Sequence, residues 1–248
     1  MITQIEIGGY RLLDGFEADL EPLTVVIGAN AVGKSTLIDC LQLIAECCEF
    51  PLNTAMGWHH GALSLLTAEN SNGRLAWSVT FRKPPTWDDF PLAEGEALVY
   101  EVVLQADEQS QMHPRYEVIR TQEPVHGEPL KFLEATPYQQ HIFDIEQRRL
   151  IPFDEAQSSP DVVHDADPAA APQRSGRAGA QQEAVLLLSQ IRFFNEFPVP
   201  SWVRVLLAGI MCYPGFDVTR SSELRTKAAD IRPDTTLSSN GDDLGTVL

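Results

Sequence analysis

The chain has 248 residues, 44% of them hydrophobic, and a formal net charge of −17 at pH 7. The length allows a substantial buried core, and no apolar run reaches the roughly 18 residues that a membrane-spanning helix needs. The acidic balance favours solubility and gives no compositional support for nucleic-acid binding, because such proteins usually neutralise phosphates with an excess of basic residues.

The N-terminus and the cysteines indicate a cytoplasmic protein. The first residues, MITQIEIGGYRLL, lack the basic segment and the continuous apolar segment of a secretory signal. Four cysteines are too few for a disulfide framework at this length, and Cys47 and Cys48 are adjacent within a helical pattern. We therefore expect reduced and mostly buried thiols.

Three strands and a helix are predicted in the first 51 residues. Residues 2–7 and 15–22 alternate apolar and polar side chains, which predicts a hairpin. The run LTVVI, residues 23–27, is β-branched and continuous, which predicts a strand buried on both faces. From Ser35 the apolar residues follow helical spacing until Pro51 ends the helix.

The middle of the chain predicts an antiparallel meander. Four runs rich in Val, Tyr, Phe and Thr are separated by turn clusters, and they cover residues 74–82, 97–106, 115–121 and 130–136. Residues 157–182 are almost entirely Ala, Pro, Ser, Gln, Asp and Gly, which predicts a disordered insertion. Residues 183–191 and 201–213 predict helices. We thus expect an N-terminal lobe over 1–156, the insertion, and a helical continuation over 183–248.

The segment GANAVGKS, residues 28–35, fits the phosphate-binding pattern G-x-x-x-x-G-K-[ST]. The two glycines let successive backbone N–H groups turn inward, and a helix N-terminus adds positive potential. A lysine in this position reaches the β- and γ-phosphates, and the serine hydroxyl can ligate Mg²⁺. The predicted nucleotide-binding residues are Gly28, Asn30, Ala31, Val32, Gly33, Lys34, Ser35 and Thr36, with Ser35 as the metal ligand and ATP with Mg²⁺ as the cofactors.

The first 48 residues resemble the N-terminus of ATPases of the RecF, SMC and OLD type, in the ABC-ATPase-like group of AAA family ATPases. The resemblance is carried by Tyr10 and Arg11 in the first turn, by the approach 22–24, and by Asn30. One departure is Ala31-Val32, where many relatives have a glycine followed by a small residue. The resemblance implies an α/β P-loop fold, in which a mixed sheet surrounds the Walker A helix beside an antiparallel β subdomain.

Relatives of this type dimerise head-to-tail around two ATPs and couple this to DNA repair, chromosome maintenance or phage defence. The resemblance therefore implies an ATPase partner copy or a C-terminal half, with DNA or an effector protein as further candidate partners. It also makes Arg11 a candidate contact to adenine or ribose, and Gln190 a candidate Q-loop residue. An ordinary polar position on an amphipathic helix is the competing interpretation of Gln190.

The acidic strand that supports hydrolysis in such ATPases, Walker B, is not found. The segment 102–108, VVLQADE, contains an Asp-Glu pair but reads better as a strand that ends in an acidic turn, and 142–146, IFDIE, is weaker. The segment 237–244, LSSNGDDL, begins like an LSGGQ-type signature but better fits a different segment of related ATPases. We assign no catalytic residue and expect the N-terminal portion of a longer ATPase.

Other functions are weighed against this one. A non-hydrolysing interaction module, remnant or subunit with an empty or weak nucleotide site is the main alternative. A small-molecule kinase is disfavoured by the preceding hairpin and by Asn30. His59-His60 has no Cys or carboxylate at ligand spacing nearby in the sequence, so we interpret the pair as part of a loop.

Overall fold

The computed structural model describes residues 1–68, 70, 72–82, 96–125, 127–145, 147–156, 183–191 and 196–212. The predicted insertion at 157–182 and the segment 237–244 lie outside these residues. The chain divides into two compact units, residues 1–208 and residues 209–248. All the helices and strands given below belong to the first unit.

The first unit is an α/β structure, as predicted. Its described strands are β1 (Ile2–Gly8), β2 (Phe16–Asp19), β3 (Arg74–Arg82), β4 (Ala97–Ala106), β5 (Met112–Val125), β6 (Glu128–Ala135), β7 (Gln140–Asp144) and β8 (Arg149–Pro152). Its described helices are α1 (Lys34–Cys47), α2 (Leu52–Trp58), α3 (Ala62–Leu65), α4 (Phe153–Ala156), α5 (Leu187–Gln190) and α6 (Pro198–Ala208). None of the described helices is long and apolar enough to cross a membrane.

One sheet contains all of these strands, in the order β2-β1-β3-β4-β5-β6-β7-β8. The predicted hairpin is confirmed, with Ile5 of β1 opposite Ala18 of β2. The predicted meander is confirmed too, and it continues from the hairpin because β3 pairs with β1 along the other edge. Every pairing among the described residues is antiparallel, so this part of the chain contains neither a mixed sheet nor a separate β subdomain.

The prediction of a buried strand at residues 23–27 is wrong for this structure. The segment forms no strand, and its large side chains are exposed, from 52% for Val26 to 89% for Ile27. A fully buried strand needs neighbours on both edges and layers on both faces. Here β2 pairs with β1, and no described strand lies beside residues 23–27. The apolar run therefore stays in solvent.

Helices cover one face of the sheet. Alternate residues of β3 point to this face and are buried, namely Leu75, Trp77, Val79 and Phe81. The ring of Phe81 contacts Trp202 of α6, with centroids 5.9 Å apart. Helix α1 confirms the helical prediction and buries an apolar stripe of Leu37, Cys40, Leu43, Ile44 and Cys47. The cysteines are thiols, and burial raises the pKa of Cys40 to about 12.

A buried carboxylate joins the sheet to α5. Glu117 of β5 is 1% exposed, and its Oε2 accepts a hydrogen bond from the Leu187 N–H at 2.6 Å. Its Oε1 accepts hydrogen bonds from the Leu188 N–H at 2.9 Å and from the Tyr100 hydroxyl at 3.0 Å. Burial raises the pKa of Glu117 to about 7, although the three donors favour the charged form.

Candidate phosphate-binding site

The candidate site lies where the exposed segment meets α1. Gly33 is the residue before the helix and has φ of 100°, a left-handed conformation that glycine adopts without a Cβ clash. No side chain caps the helix N-terminus. The Leu37 N–H donates to the Gly33 carbonyl at 2.9 Å and so begins the helical ladder. The N–H groups of the first turn precede that ladder and carry the positive end of a 14-residue helix dipole.

The Lys34 side chain arches back over the loop. Its Nζ donates a hydrogen bond to the Gly28 carbonyl at 2.8 Å and another to the Ala29 carbonyl. The ammonium group is thus held at the first residues of the motif. This brings the only charged side chain of GANAVGKS next to the loop backbone.

Crowding by the Val32 side chain gives a reason for the glycine at position 28. A Cβ on Gly28 would lie 3.0 Å from Cγ2 of Val32, which is closer than real Cβ contacts normally come. Ala31 has φ of 64°, so this loop holds a non-glycine residue in the left-handed region. Such a conformation costs an L-residue about 1 kcal/mol. The departure at Ala31 noted in the sequence is therefore also a site of backbone strain.

The other predicted site residues lie along the same short stretch. Asn30, Ala31 and Val32 are exposed, Gly33 is buried, Lys34 and Thr36 are half-buried, and Ser35 is exposed. Ser35 and Thr36 belong to the first turn of α1, so their hydroxyls accompany the N–H groups of the helix N-terminus. This arrangement can bind an anion through backbone donors and one ammonium group, and it offers a hydroxyl oxygen to a cation.

The turn between β1 and β2 packs against the end of the loop. A Cβ on Gly33 would lie 3.4 Å from Cδ2 of Leu13, so the Leu13 side chain lies near the residue that precedes Lys34. Arg11, the candidate for a base or ribose contact, is engaged within the protein. Its guanidinium forms an ion pair with Asp39 of α1 and donates to the His59 carbonyl at 3.3 Å.

The weaker candidates lie in turns or at element ends. In the turn between β4 and β5, the Asp107 carboxylate accepts hydrogen bonds from the N–H groups of Gln111 and Gln109, and it also binds the His113 ring. These hydrogen bonds, the one from Gln111 most of all, lower the pKa of Asp107. The interpretation of 102–108 as a strand that ends in an acidic turn agrees with this position. Asp144 ends β7, and Gln190 ends α5 with an exposed side chain.

Sequence reasoning missed the surroundings of His59. The ring is bound on both sides by carboxylates of α1, Asp39 and Glu46, which lie 20 and 13 residues earlier in the chain. Those carboxylates face the ring because α1 and α2 fold back on each other. Their spacing of seven residues, two helical turns, is the one sequence signal that would have put both on one face. No group of three or more potential metal ligands was found among the residues that the structure describes.

Comparison with known proteins agrees with the motif. Residues 1–88 match the family model described as AAA ATPase domain. The match spans fewer than half of the 248 residues and includes the whole loop and α1. The resemblance to AAA family ATPases drawn from the first 48 residues is thereby confirmed for the N-terminal portion of the chain.

Two further comparisons add little to this. No curated protein matches the chain. A solved structure titled "Structural biochemistry of ATP-driven dimerization and DNA stimulated activation of SMC ATPases" is 14% identical, with a TM-score of 0.32. The similarity covers 52% of this chain and 70% of that one.

Proposed function

We propose that this chain binds ATP with Mg²⁺ through residues 28–36, as a P-loop ATPase of the RecF/SMC-like group with an ABC-ATPase-type fold. The observation that carries the proposal is the position of Lys34. Its ammonium group lies over the carbonyls of Gly28 and Ala29, at the N-terminus of a helix that no side chain caps. An ATPase-domain match over residues 1–88 supports a nucleotide as the anion.

Each residue of the loop has a distinct part in this proposal. Lys34 exchanges its two carbonyl partners for oxygens of the β- and γ-phosphates, which are stronger acceptors because they are charged. The backbone N–H groups of residues 30–35 surround the phosphates, and the Thr36 hydroxyl binds the α-phosphate. Gly28 and Gly33 have no Cβ to keep the phosphates away from the backbone.

The donor set fits Mg²⁺. This ion prefers oxygen ligands and usually keeps several waters, so a P-loop supplies it with one hydroxyl rather than a complete cage. Ser35 is exposed in the first turn of α1 and can supply that hydroxyl. When bound, Mg²⁺ would neutralise the charge of the phosphates.

The site assignment is tested by calorimetry with Mg-ATPγS. We expect Lys34→Ala to weaken binding by about 10-fold to 100-fold, the range for a lost hydrogen bond to a charged group. The matched control is Lys131→Ala, which removes another lysine from a surface ion pair with Glu134 and should leave binding unchanged. Equal affinity of the wild type and Lys34→Ala would show that the loop is not the nucleotide site.

Removal of the metal gives a second test. Without Mg²⁺, the wild type should bind ATPγS more weakly, because Ser35 and the phosphates lose the ion that they share. The Ser35→Ala variant should show a smaller difference between the two conditions. An identical Mg²⁺ dependence in both proteins would contradict the role of the Ser35 hydroxyl.

The exposed segment before the loop supports an interaction surface beside the candidate site. Residues 23–27 present large apolar side chains to solvent directly beside the candidate site, and such patches mark interaction surfaces. We propose that a C-terminal half or a second ATPase copy covers them, and that the assembly acts in the cytoplasm in DNA repair, chromosome maintenance or phage defence. DNA and an effector protein are the further partners proposed.

The alternative is a module that binds nucleotide without hydrolysis. One observation favours it: Asp107, from the best Asp-Glu pair of the sequence, accepts the N–H groups of its own turn. Phosphate release from ATP separates the two functions. Turnover by the wild type that is lost in Lys34→Ala supports an ATPase, and binding without turnover supports the module.

A further inference from the structure

His59 lies between two carboxylates of the helix that begins at Lys34. The ring is 6% exposed and follows α2 directly. Its Nδ1 lies 2.9 Å from Oδ1 of Asp39, and its Nε2 lies 2.8 Å from Oε2 of Glu46. A neutral imidazole has one N–H, and two carboxylates have none, so two such hydrogen bonds require one additional proton. The arrangement therefore fits an imidazolium shared by two carboxylates.

The carboxylate of Asp39 connects this ring to the β1–β2 turn. Its Oδ2 accepts a hydrogen bond from the Tyr10 hydroxyl at 2.5 Å and another from the Arg11 guanidinium. Arg11 also donates to the backbone carbonyl of His59 at 3.3 Å, which closes a ring of contacts. Burial, followed by the hydrogen bond to Asp39, raises the pKa of Tyr10, so its hydroxyl remains a donor.

The same turn, residues 9–15, lies next to the phosphate loop. Tyr10 and Leu13 exchange backbone hydrogen bonds of 3.0 and 2.6 Å, and the Arg11 N–H donates to the Leu65 carbonyl at 2.8 Å. Arg11 has φ of 42°, an uncommon conformation for this residue that its contacts must hold in place. The Leu13 side chain lies near Gly33, the residue before Lys34, and would be in van der Waals contact with a Cβ at that position.

We propose that His59 is a positioning residue for the phosphate loop. Protonated and held by Glu46, it fixes the Asp39 carboxylate in the orientation that binds Tyr10 and Arg11. Asp39 in turn holds the β1–β2 turn against Gly33. The inference rests on the proposed function for its effect on nucleotide, whereas its effect on the turn can be measured without nucleotide.

Two neutral variants separate the two sides of the ring. In His59→Asn the side-chain amide nitrogen takes about the place of Nδ1 and keeps the bond to Asp39. In His59→Gln the amide nitrogen takes about the place of Nε2 and keeps the bond to Glu46. We expect His59→Gln to weaken Mg-ATPγS binding about tenfold, as for one charge-assisted hydrogen bond, and His59→Asn to weaken it less than about threefold. Equal effects of the two variants, or no effect of His59→Gln, would overturn the inference.

Hydrogen exchange measures the turn itself. In His59→Gln we expect protection factors to fall about tenfold for the N–H groups of Tyr10, Leu13 and Leu37. Those in β4 and β5 should not change, and His59→Asn should retain protection throughout. An equal loss of protection in β4 and β5 would indicate general destabilisation and contradict a positioning role. If the wild type binds no nucleotide, the proposed function fails, and this measurement alone decides the inference.

Discussion

Two runs of similar composition have opposite surroundings in this molecule. The segment 23–27, LTVVI, and strand β4, ALVYEVVLQA, are both rich in aliphatic and β-branched residues. Strand β4 pairs with β3 on one edge and β5 on the other, and most of its side chains are buried. The segment 23–27 has no strand beside it among the described residues, and its large side chains are exposed. Composition favours strand formation in both, but neighbouring strands determine which of them is buried.

The difference in burial between the two runs also has a topological cause. Each strand from β4 to β8 pairs with the described strand before it in the chain, so sequence order supplies the partner. Residues 23–27 follow β2, but they lead into the loop and α1 and do not turn back along β2. A strand that leaves its sheet in this way needs a partner from elsewhere, which local sequence cannot indicate.

The largest predicted difference comes from the same substitution made in the two environments. Ile119 of β5 is fully buried and lies opposite Tyr100 and Leu133, whereas Ile27 is exposed. We expect Ile119→Ala to lower the free energy of unfolding by about 3–4 kcal/mol through lost burial and a cavity. Ile27→Ala should change it by less than about 0.5 kcal/mol.

Urea denaturation monitored by circular dichroism measures both values in the same buffer. A cost above about 1 kcal/mol for Ile27→Ala would show that residues 23–27 are buried in solution, and the contrast between the two runs would disappear. A small cost for Ile119→Ala would contradict the assignment of β5 to the core.

A second prediction concerns charge within the well-paired region. The pKa of Glu117 is about 7 in the folded protein and about 4.5 when unperturbed. Between these values the folded state binds more protons than the unfolded state, so stability falls as the pH rises from about 4.5 to about 7. The contribution is on the order of 3 kcal/mol, since one pKa unit corresponds to about 1.4 kcal/mol.

Other carboxylates titrate in the same range, so the reference is the variant Glu117→Gln. The stability of the wild type minus that of Glu117→Gln should decrease between about pH 4 and about pH 8, as measured by urea denaturation. The amide NH2 group cannot accept a backbone N–H as the carboxylate oxygen does, but this constant offset in stability does not titrate. A difference that stays constant or rises with pH would contradict a raised pKa.

Much of the fold was predictable because local periodicity and sequential pairing agree. Alternation located β3, β4 and β6, and helical spacing located α1. The exposure of residues 23–27 was not predictable, since burial of this segment depends on a partner strand and not on its own sequence. The sequence also predicted an antiparallel β subdomain separate from the sheet of the hairpin, whereas the pairing of β1 with β3 joins the hairpin and the meander in one sheet.

The residues of the candidate site also divide into those that the sequence predicts and those that only tertiary structure brings together. The glycines and Lys34 were predictable because a P-loop depends on residues close together in sequence. The link from His59 to Asp39 and Glu46 was not, because it depends on how two helices pack. The engagement of Arg11 by Asp39 also depends on tertiary structure, and the sequence alone suggested only a nucleotide contact.

The smallest predicted effect tests the loop that follows the unpaired run. Ala31 has φ of 64°, which glycine adopts at little cost, whereas Ala29 has no positive φ. Ala31→Gly therefore relieves about 1 kcal/mol of strain in the folded protein. Part of that gain is offset by the greater backbone freedom of glycine in the unfolded chain. We expect the free energy of unfolding to rise by less than about 1 kcal/mol, as measured by urea denaturation. Ala29→Gly adds the same freedom without relieving strain, so it should leave the stability unchanged or lower it. A loss of stability in Ala31→Gly would contradict the left-handed conformation at residue 31.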